Sequence, residues 1–147
     1  MTRGRKKDQR HRAREAALQI LYQWDIGGGD IDQAAETFFT LQWPDDDPAP
    51  GPLRDTASAL ARDTAARIGA IDPLIADTAA RWRPERMAIL DRLILRMAIC
   101  EMQRDPETPP VVIINEALEL ARTFSTEESV KFINGMLDAI RKKIEAK

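Results

Sequence analysis

VVIINEALELARTFSTEESVKFING, residues 111–135, holds two amphipathic helices and the turn between them. Ile113, Ala117, Leu120, Ala121 and Phe124 stand at offsets 0, 4, 7, 8 and 11, one face of a 3.6-residue helix. Pro109 and Pro110 precede that face, and Pro110 suits a first helical turn, where a missing N–H is no loss. Ser125 and Glu128 have capping-box spacing, which predicts a new helix start. Val130, Ile133, Leu137, Ile140 and Ile144 then form a second apolar stripe running to the C-terminus. The β-branched run at 111–114 is the one candidate strand, and with no strand partner elsewhere a helix is the expectation.

Working back towards the N-terminus, the segment RPERMAILDRLILRMAICEMQR puts Leu90, Leu93, Ile94, Met97 and Ala98 on one face and Ile89, Leu95 and Ile99 on others. Apolar residues wrap most of this helix, so it is expected at the centre of a bundle. Asp72-Pro73 reads as N-cap and first residue of a short helix reaching about Trp82, closed by Pro84. Before it, Ala57, Leu60, Ala61, Thr64 and Ile68 stripe a helix from about Leu53 to Ile71. A further helix from about Asp32 to Trp43 carries Ala34, Ala35, Phe38, Phe39 and Leu41 and stops at Pro44. The first helix bears Ala13, Ala16, Ala17, Ile20, Leu21 and Trp24, and Gly27-Gly28-Gly29 ends it. The class is all-α, a compact bundle of about seven helices. Residues 1–9 are too polar to bury and are read as a flexible basic arm, with 10–147 a single helical domain.

A chain of 147 residues can bury about two thirds of its unfolded surface without a disulfide or metal. The lone Cys100 and lone His11 exclude an intramolecular disulfide and a Cys-cluster metal site, which fits a cytoplasmic protein. No N-terminal apolar segment and no run of eighteen apolar residues point to secretion or to a membrane span. The net charge of −2 hides an asymmetry: residues 1–14 carry +6, from Arg3, Arg5, Lys6, Lys7, Arg10, Arg12 and Arg14 against Asp8, and the rest carries −8. Such a basic run docks on polyanions with salt-sensitive affinity, or else serves as a solvated tail; charge alone leaves both open.

Little in the chain suggests catalysis. The triple glycine is no phosphate loop, since no Gly-Lys-Ser/Thr follows. The acidic loop DDDPAPGP at 45–52 lacks the glycine and distal glutamate of a calcium loop. His11 lies in the basic run and Cys100 in an apolar helix, so a Cys–His pair is not expected. Asp91, Glu101, Asn115 and Glu116 lie beside strongly apolar segments, where cross-linking helices through Arg92 and Arg96 is favoured over acid–base work. No cofactor, catalytic residue or metal site is proposed.

The segment PPVVIINEALELARTFSTEESVKFINGMLD resembles the C-terminal signature of the NusB family of bacterial transcription antitermination factors. AREAALQILYQWD at 13–25 is similar to that family's first helix and LDRLILRMAICE at 90–101 to its central helix. The resemblance implies an all-helical fold of two packed helical subdomains and no enzymatic activity. It implies binding of boxA single-stranded RNA in ribosomal RNA leader transcripts, together with the ribosomal protein NusE. An antitermination complex with RNA polymerase would follow, promoting processive rRNA transcription. By the same resemblance Arg10, His11, Arg12 and Arg14 match phosphate-contacting positions, and Tyr22, Glu128, Lys131 and Phe132 match positions near RNA. A core contact for Phe132 and a packed Tyr22 remain open beside those roles. For NusE the resemblance points to Arg86, Asp91 and Ile94. Cys100 stands where the family has an aromatic and Ser125 where it has glycine, and the basic extension is longer than the family minimum.

Two other classes compete. Helical domains of this kind front certain ribosomal RNA cytosine methyltransferases, but the chain holds neither a glycine-rich cofactor domain nor a matching catalytic cysteine. A helical protein-interaction scaffold without specific RNA binding is the alternative, and whether the chain forms a homodimer is left open.

Overall fold

The computed structural model describes residues 2–43, 46–79 and 87–146, with side chains described from residue 9 onward. Seven α-helices and no strand are found among the described residues: α1 Thr2–Gly27, α2 Ile31–Gln42, α3 Gly51–Ala66, α4 Ile68–Thr78, α5 Ile89–Arg104, α6 Pro110–Phe124 and α7 Glu127–Glu145. The all-α expectation holds, and the 111–114 run lies inside α6. The chain divides into two compact units, Met1–Ala65 and Ala66–Lys147.

In the first unit α1 packs against α2. Ala13, Ala16, Ala17, Ile20 and Leu21 are buried as their spacing predicts, Trp24 on the same stripe is half-buried, and Leu18, outside the stripe, is buried as well. The helix assignment reaches back to Thr2, through the stretch read from sequence as an arm. Its C-terminus is closed by Gly28 and Gly29, whose φ of 70° and 85° an L side chain would resist. The Gly28 N–H donates to Trp24 O at 2.8 Å, and the Trp24 indole N–H donates to Gly29 O at 3.0 Å. Asp30 caps α2 by accepting from the Asp32 N–H. Phe38 and Phe39 face inward from α2, while Leu41 on its other side is exposed. α3 is tied to α2 by an Arg62–Asp32 ion pair at 2.8 Å and by Arg54 lying 5.5 Å from the Phe39 ring centroid. The expected stop at Pro44 and the first aspartate of the acidic loop lie outside the described residues.

In the second unit α5 packs against α4, α6 and α7, and α6 against α7. Every residue from Leu93 to Cys100 is buried, as the wrapped apolar pattern of this helix predicts. Burial of so many large side chains in one helix, each stabilising by roughly 1.5–3 kcal/mol, makes α5 the axis of the unit. Arg96 joins this run because its guanidinium donates twice to the Asp72 carboxylate, from Nε at 2.8 Å and Nη2 at 2.7 Å.

Three further boundaries differ from the sequence reading. The break expected at Asp72-Pro73 falls at Arg67, and Pro73 sits inside α4. Asp72 is committed to Arg96, so it is not a cap, and the N–H groups of Ala70 and Ile71 turn the chain on Arg67 O instead. The same helix ends at Thr78 rather than near Trp82; Trp82 and Pro84 lie outside the described residues. The cap between α6 and α7 is also displaced by one residue. Thr126, not Ser125, is the N-cap, its hydroxyl accepting from the Ser129 N–H at 3.1 Å. Glu128 is then the second helical residue, out of register for a capping box.

Candidate nucleic-acid interface

On α1 the helix period sorts the candidate residues. Arg10 and Arg14, four apart, share one side, and His11 and Tyr22, eleven apart, line up beside them. Arg10 is exposed, and His11 and Arg14 are half-buried. His11 Nε2 lies 3.8 Å from Glu15 Oε1, one turn on, an ion pair whenever the imidazole is protonated. Tyr22 is 39% exposed, which leaves its ring open to a ligand rather than packed away. Arg12 points off that side. Its guanidinium lies 5.9 Å from the centroid of the Trp43 ring at the end of α2, a cation–π contact worth about 0.5–1 kcal/mol at an exposed site. Trp43 in turn abuts Phe39 at 5.5 Å between centroids. Arg10 with Arg14 and His11 with Tyr22 therefore make two neighbouring rows, and Arg12 is held by an aromatic platform that composition alone did not reveal.

In the second unit the turn between α6 and α7 is built around Asp91, in the first turn of α5. Ser125 Oγ donates to Asp91 Oδ1 at 3.2 Å and Ser129 Oγ to Asp91 Oδ2 at 3.0 Å. Ser125 and Ser129 hydroxyls also lie 2.9 Å apart, and the Thr126 hydroxyl is 3.1 Å from that of Ser129. Asp91 is only 8% exposed, so the hydroxyls replace its lost water. Beside this cluster is a cavity of about 320 Å³ lined by Met87, Ala88, Asp91, Thr126, Glu128, Ser129 and Phe132. Glu128 and Phe132, one turn apart on α7, line the same wall, and Lys131 is exposed next to Phe132. Phe132 is half-buried, so its ring serves the cavity wall as well as the packing. The set offers a ring face for stacking, a carboxylate that accepts from base amino groups, and a cation for phosphate.

The three candidates for a protein partner fare differently. Arg86 lies outside the described residues. Ile94 is wholly buried, so it fills the core and has no surface to offer. Asp91 lines the cavity but its carboxylate is engaged by two serine hydroxyls, which moves it from a partner face to the internal bracing of the turn. Arg96 cross-links α5 to α4 through Asp72, and Asp91 is held by the serines. Ser129 and Thr126 were missed by the sequence reading. Ser129 stands on the α7 stripe with Ile133, Met136 and Ile140, and a polar residue at a core position is the signal of a buried hydrogen bond.

Among the described residues no group of three or more His, Cys, Asp or Glu is placed to hold a metal ion, and Cys100 is a buried free thiol. No helix among them is long and apolar enough to cross a membrane.

The NusB family model matches residues 11–142. A transcription antitermination protein NusB from Solibacter usitatus is 44% identical over 135 residues, covering 92% of this chain and 90% of that protein. The NusB of Koribacter versatilis is 43% identical over 137 residues, covering 93% and 91%. In structure the chain is similar to NusB of T. maritima, with a TM-score of 0.78, 30% identity and 90% of each chain covered. It shares the fold of a chain in a crystal structure of antitermination factors NusB and NusE in complex with dsRNA, at a TM-score of 0.81 and 23% identity over 92% of this chain and 98% of that one.

Proposed function

The chain belongs to the NusB family, and from that premise we propose that it is a transcription antitermination factor acting by binding rather than by catalysis. In this reading it binds the boxA single-stranded RNA of ribosomal RNA leader transcripts jointly with the ribosomal protein NusE, within an RNA polymerase complex in the cytoplasm. RNA polymerase then passes terminators in the leader. The shared fold with a chain from a complex of NusB and NusE with dsRNA supports NusE as partner and RNA as ligand.

The observation that carries the reading is the pairing of Arg10 with Arg14 on one side of α1 and of His11 with Tyr22 on the neighbouring side. Phosphates along a strand meet the cations, and an exposed ring meets a base. In the second unit the surface of Glu128, Lys131 and Phe132 supplies the same two chemistries with an added acceptor. Glu128 repels phosphate, so its contact is with a base edge, and this is where discrimination between sequences resides. Arg12, stacked on Trp43, is a pre-ordered phosphate contact beside the main row.

The reading is tested by anisotropy of a labelled boxA-like RNA, titrated with salt, with and without NusE, and with an RNA duplex as competitor. Binding is expected to tighten with NusE, to fall as salt rises, and to prefer the single strand. Absent or salt-independent binding in both cases leaves the protein-interaction scaffold as the function.

A further inference from the structure

We propose that Asp91 is a positioning residue for the RNA-facing turn, holding the first turns of α7 in the orientation that presents Glu128, Lys131 and Phe132 together. The inference rests on the RNA-binding reading and adds to it a residue that touches no ligand.

Two hydroxyls bind Asp91 and a third braces them. Ser129 gives its proton to Asp91 Oδ2 at 3.0 Å and Ser125 gives its proton to Oδ1 at 3.2 Å. Thr126 donates to Ser129 Oγ while its own oxygen accepts the Ser129 N–H. The carboxylate thus receives on both oxygens, and the Ser125 and Ser129 hydroxyls also meet at 2.9 Å. Ser125 closes α6, Thr126 opens α7 and Ser129 is the third residue of α7, so one carboxylate on α5 fixes both helix ends.

The consequence runs along α7 by helix geometry. Glu128 immediately precedes Ser129, and Phe132 follows it by three residues. A pivot of α7 about Ser129 would carry Glu128 and Phe132 off the shared wall. Asp91 lines the same cavity as those two residues, so the brace lies under the surface it orients. Loop rearrangement of this kind costs affinity without removing a contact residue.

The test uses the full chain with NusE and compares a boxA-like RNA with a scrambled single strand across a salt series. Asp91→Ala is expected to weaken boxA-like binding about tenfold, to leave scrambled binding within about twofold, and to lower the salt slope by no more than about 0.7, one phosphate's share, since Lys131 alone among the candidate cations moves with the turn. Asp91→Asn is expected to recover most of the loss, because the amide oxygen still accepts one hydroxyl. Hydrogen exchange at residues 126–132 should rise in Asp91→Ala and not in Asp91→Asn. If Asp91→Ala does not fold, Ser125→Ala is read in the same way, with an expected loss of about threefold confined to the boxA-like RNA. Equal losses on both RNAs, or a fall in thermal stability with discrimination intact, reduce Asp91 to a purely structural role and overturn the proposal. A wild-type chain that shows no salt-dependent RNA binding overturns the RNA reading itself, and the positioning role with it.

Discussion

Ile94 shows how a side chain can sit in a family-like segment and still have no access to a partner. It is completely buried in α5 between Leu93 and Leu95, which are buried as well. Ile94→Ala removes carbons from a packed site that collapses only partly, so a loss of about 3 kcal/mol is expected. Urea unfolding would show a lower midpoint at constant slope. Unchanged stability with weakened NusE binding would return Ile94 to the partner face. The spacing of apolar residues identified the inward positions well: Ile113, Ala117, Leu120 and Ala121 on α6 and Ile133, Leu137 and Ile140 on α7 are all buried. What periodicity did not show is which polar groups accompany them inside. Asp91, Arg96 and Ser129 are each 8% exposed, and their partners come from 24 to 38 residues away in sequence. A hydrogen bond across that separation leaves no local pattern, so Asp91 reads as a partner contact until the fold brings the serines to it.

At the scale of the helix, the displaced cap separates two accounts of how α7 begins. If Thr126 is the cap, Thr126→Ala costs about 1 kcal/mol and Glu128→Ala stays within about 0.5 kcal/mol of the wild type in thermal unfolding. A capping box on Ser125 and Glu128 would reverse that order. Both hydroxyls satisfy the same sequence rule, and only the competing claim of Asp91 on Ser125 decides between them. The shifted break at Arg67 has the same origin, because the carboxylate of Asp72 is taken by Arg96. The far end of α7 carries a pH effect. The Asp138 carboxyl is held below the usual carboxylate range by its hydrogen bond from Arg141, and further by Lys142 at 3.3 Å. A depressed folded-state value means the contribution is complete above the ordinary pKa of about 3.9 and fades as pH falls through the lower folded value. Urea midpoints of wild type and Asp138→Asn should therefore differ near neutral pH and converge in acid, by a small margin since the pair is exposed. A gap that persists in acid would assign the effect to packing.

Across the whole molecule the candidate residues divide by position, with cations and an aromatic ring in each set. Arg10, His11, Arg12, Arg14 and Tyr22 belong to the unit ending at Ala65, and Glu128, Lys131 and Phe132 to the unit that follows it. In the proposed reading the arginines and Lys131 act on phosphate without regard to sequence, whereas Tyr22, Phe132 and Glu128 meet bases. Arg10→Ala with Arg14→Ala should lower the salt slope of RNA binding by about 1.4, at roughly 0.7 per phosphate on a single strand. It should weaken boxA-like and scrambled RNA alike. Phe132→Leu should leave the slope unchanged and cost roughly 1–3 kcal/mol for boxA-like RNA, the range for one stacked base. Helicity by circular dichroism and NusE binding should be unaltered in the arginine variant, since Arg10 is exposed and Arg14 only half-buried on a helix whose core face is made by other residues. Combining the arginine and Phe132 changes should then add, because independent sites couple by no more than about 0.5 kcal/mol. A slope unaffected by losing both arginines would remove Arg10 and Arg14 from the phosphate contacts and overturn the α1 row as the carrier of RNA binding.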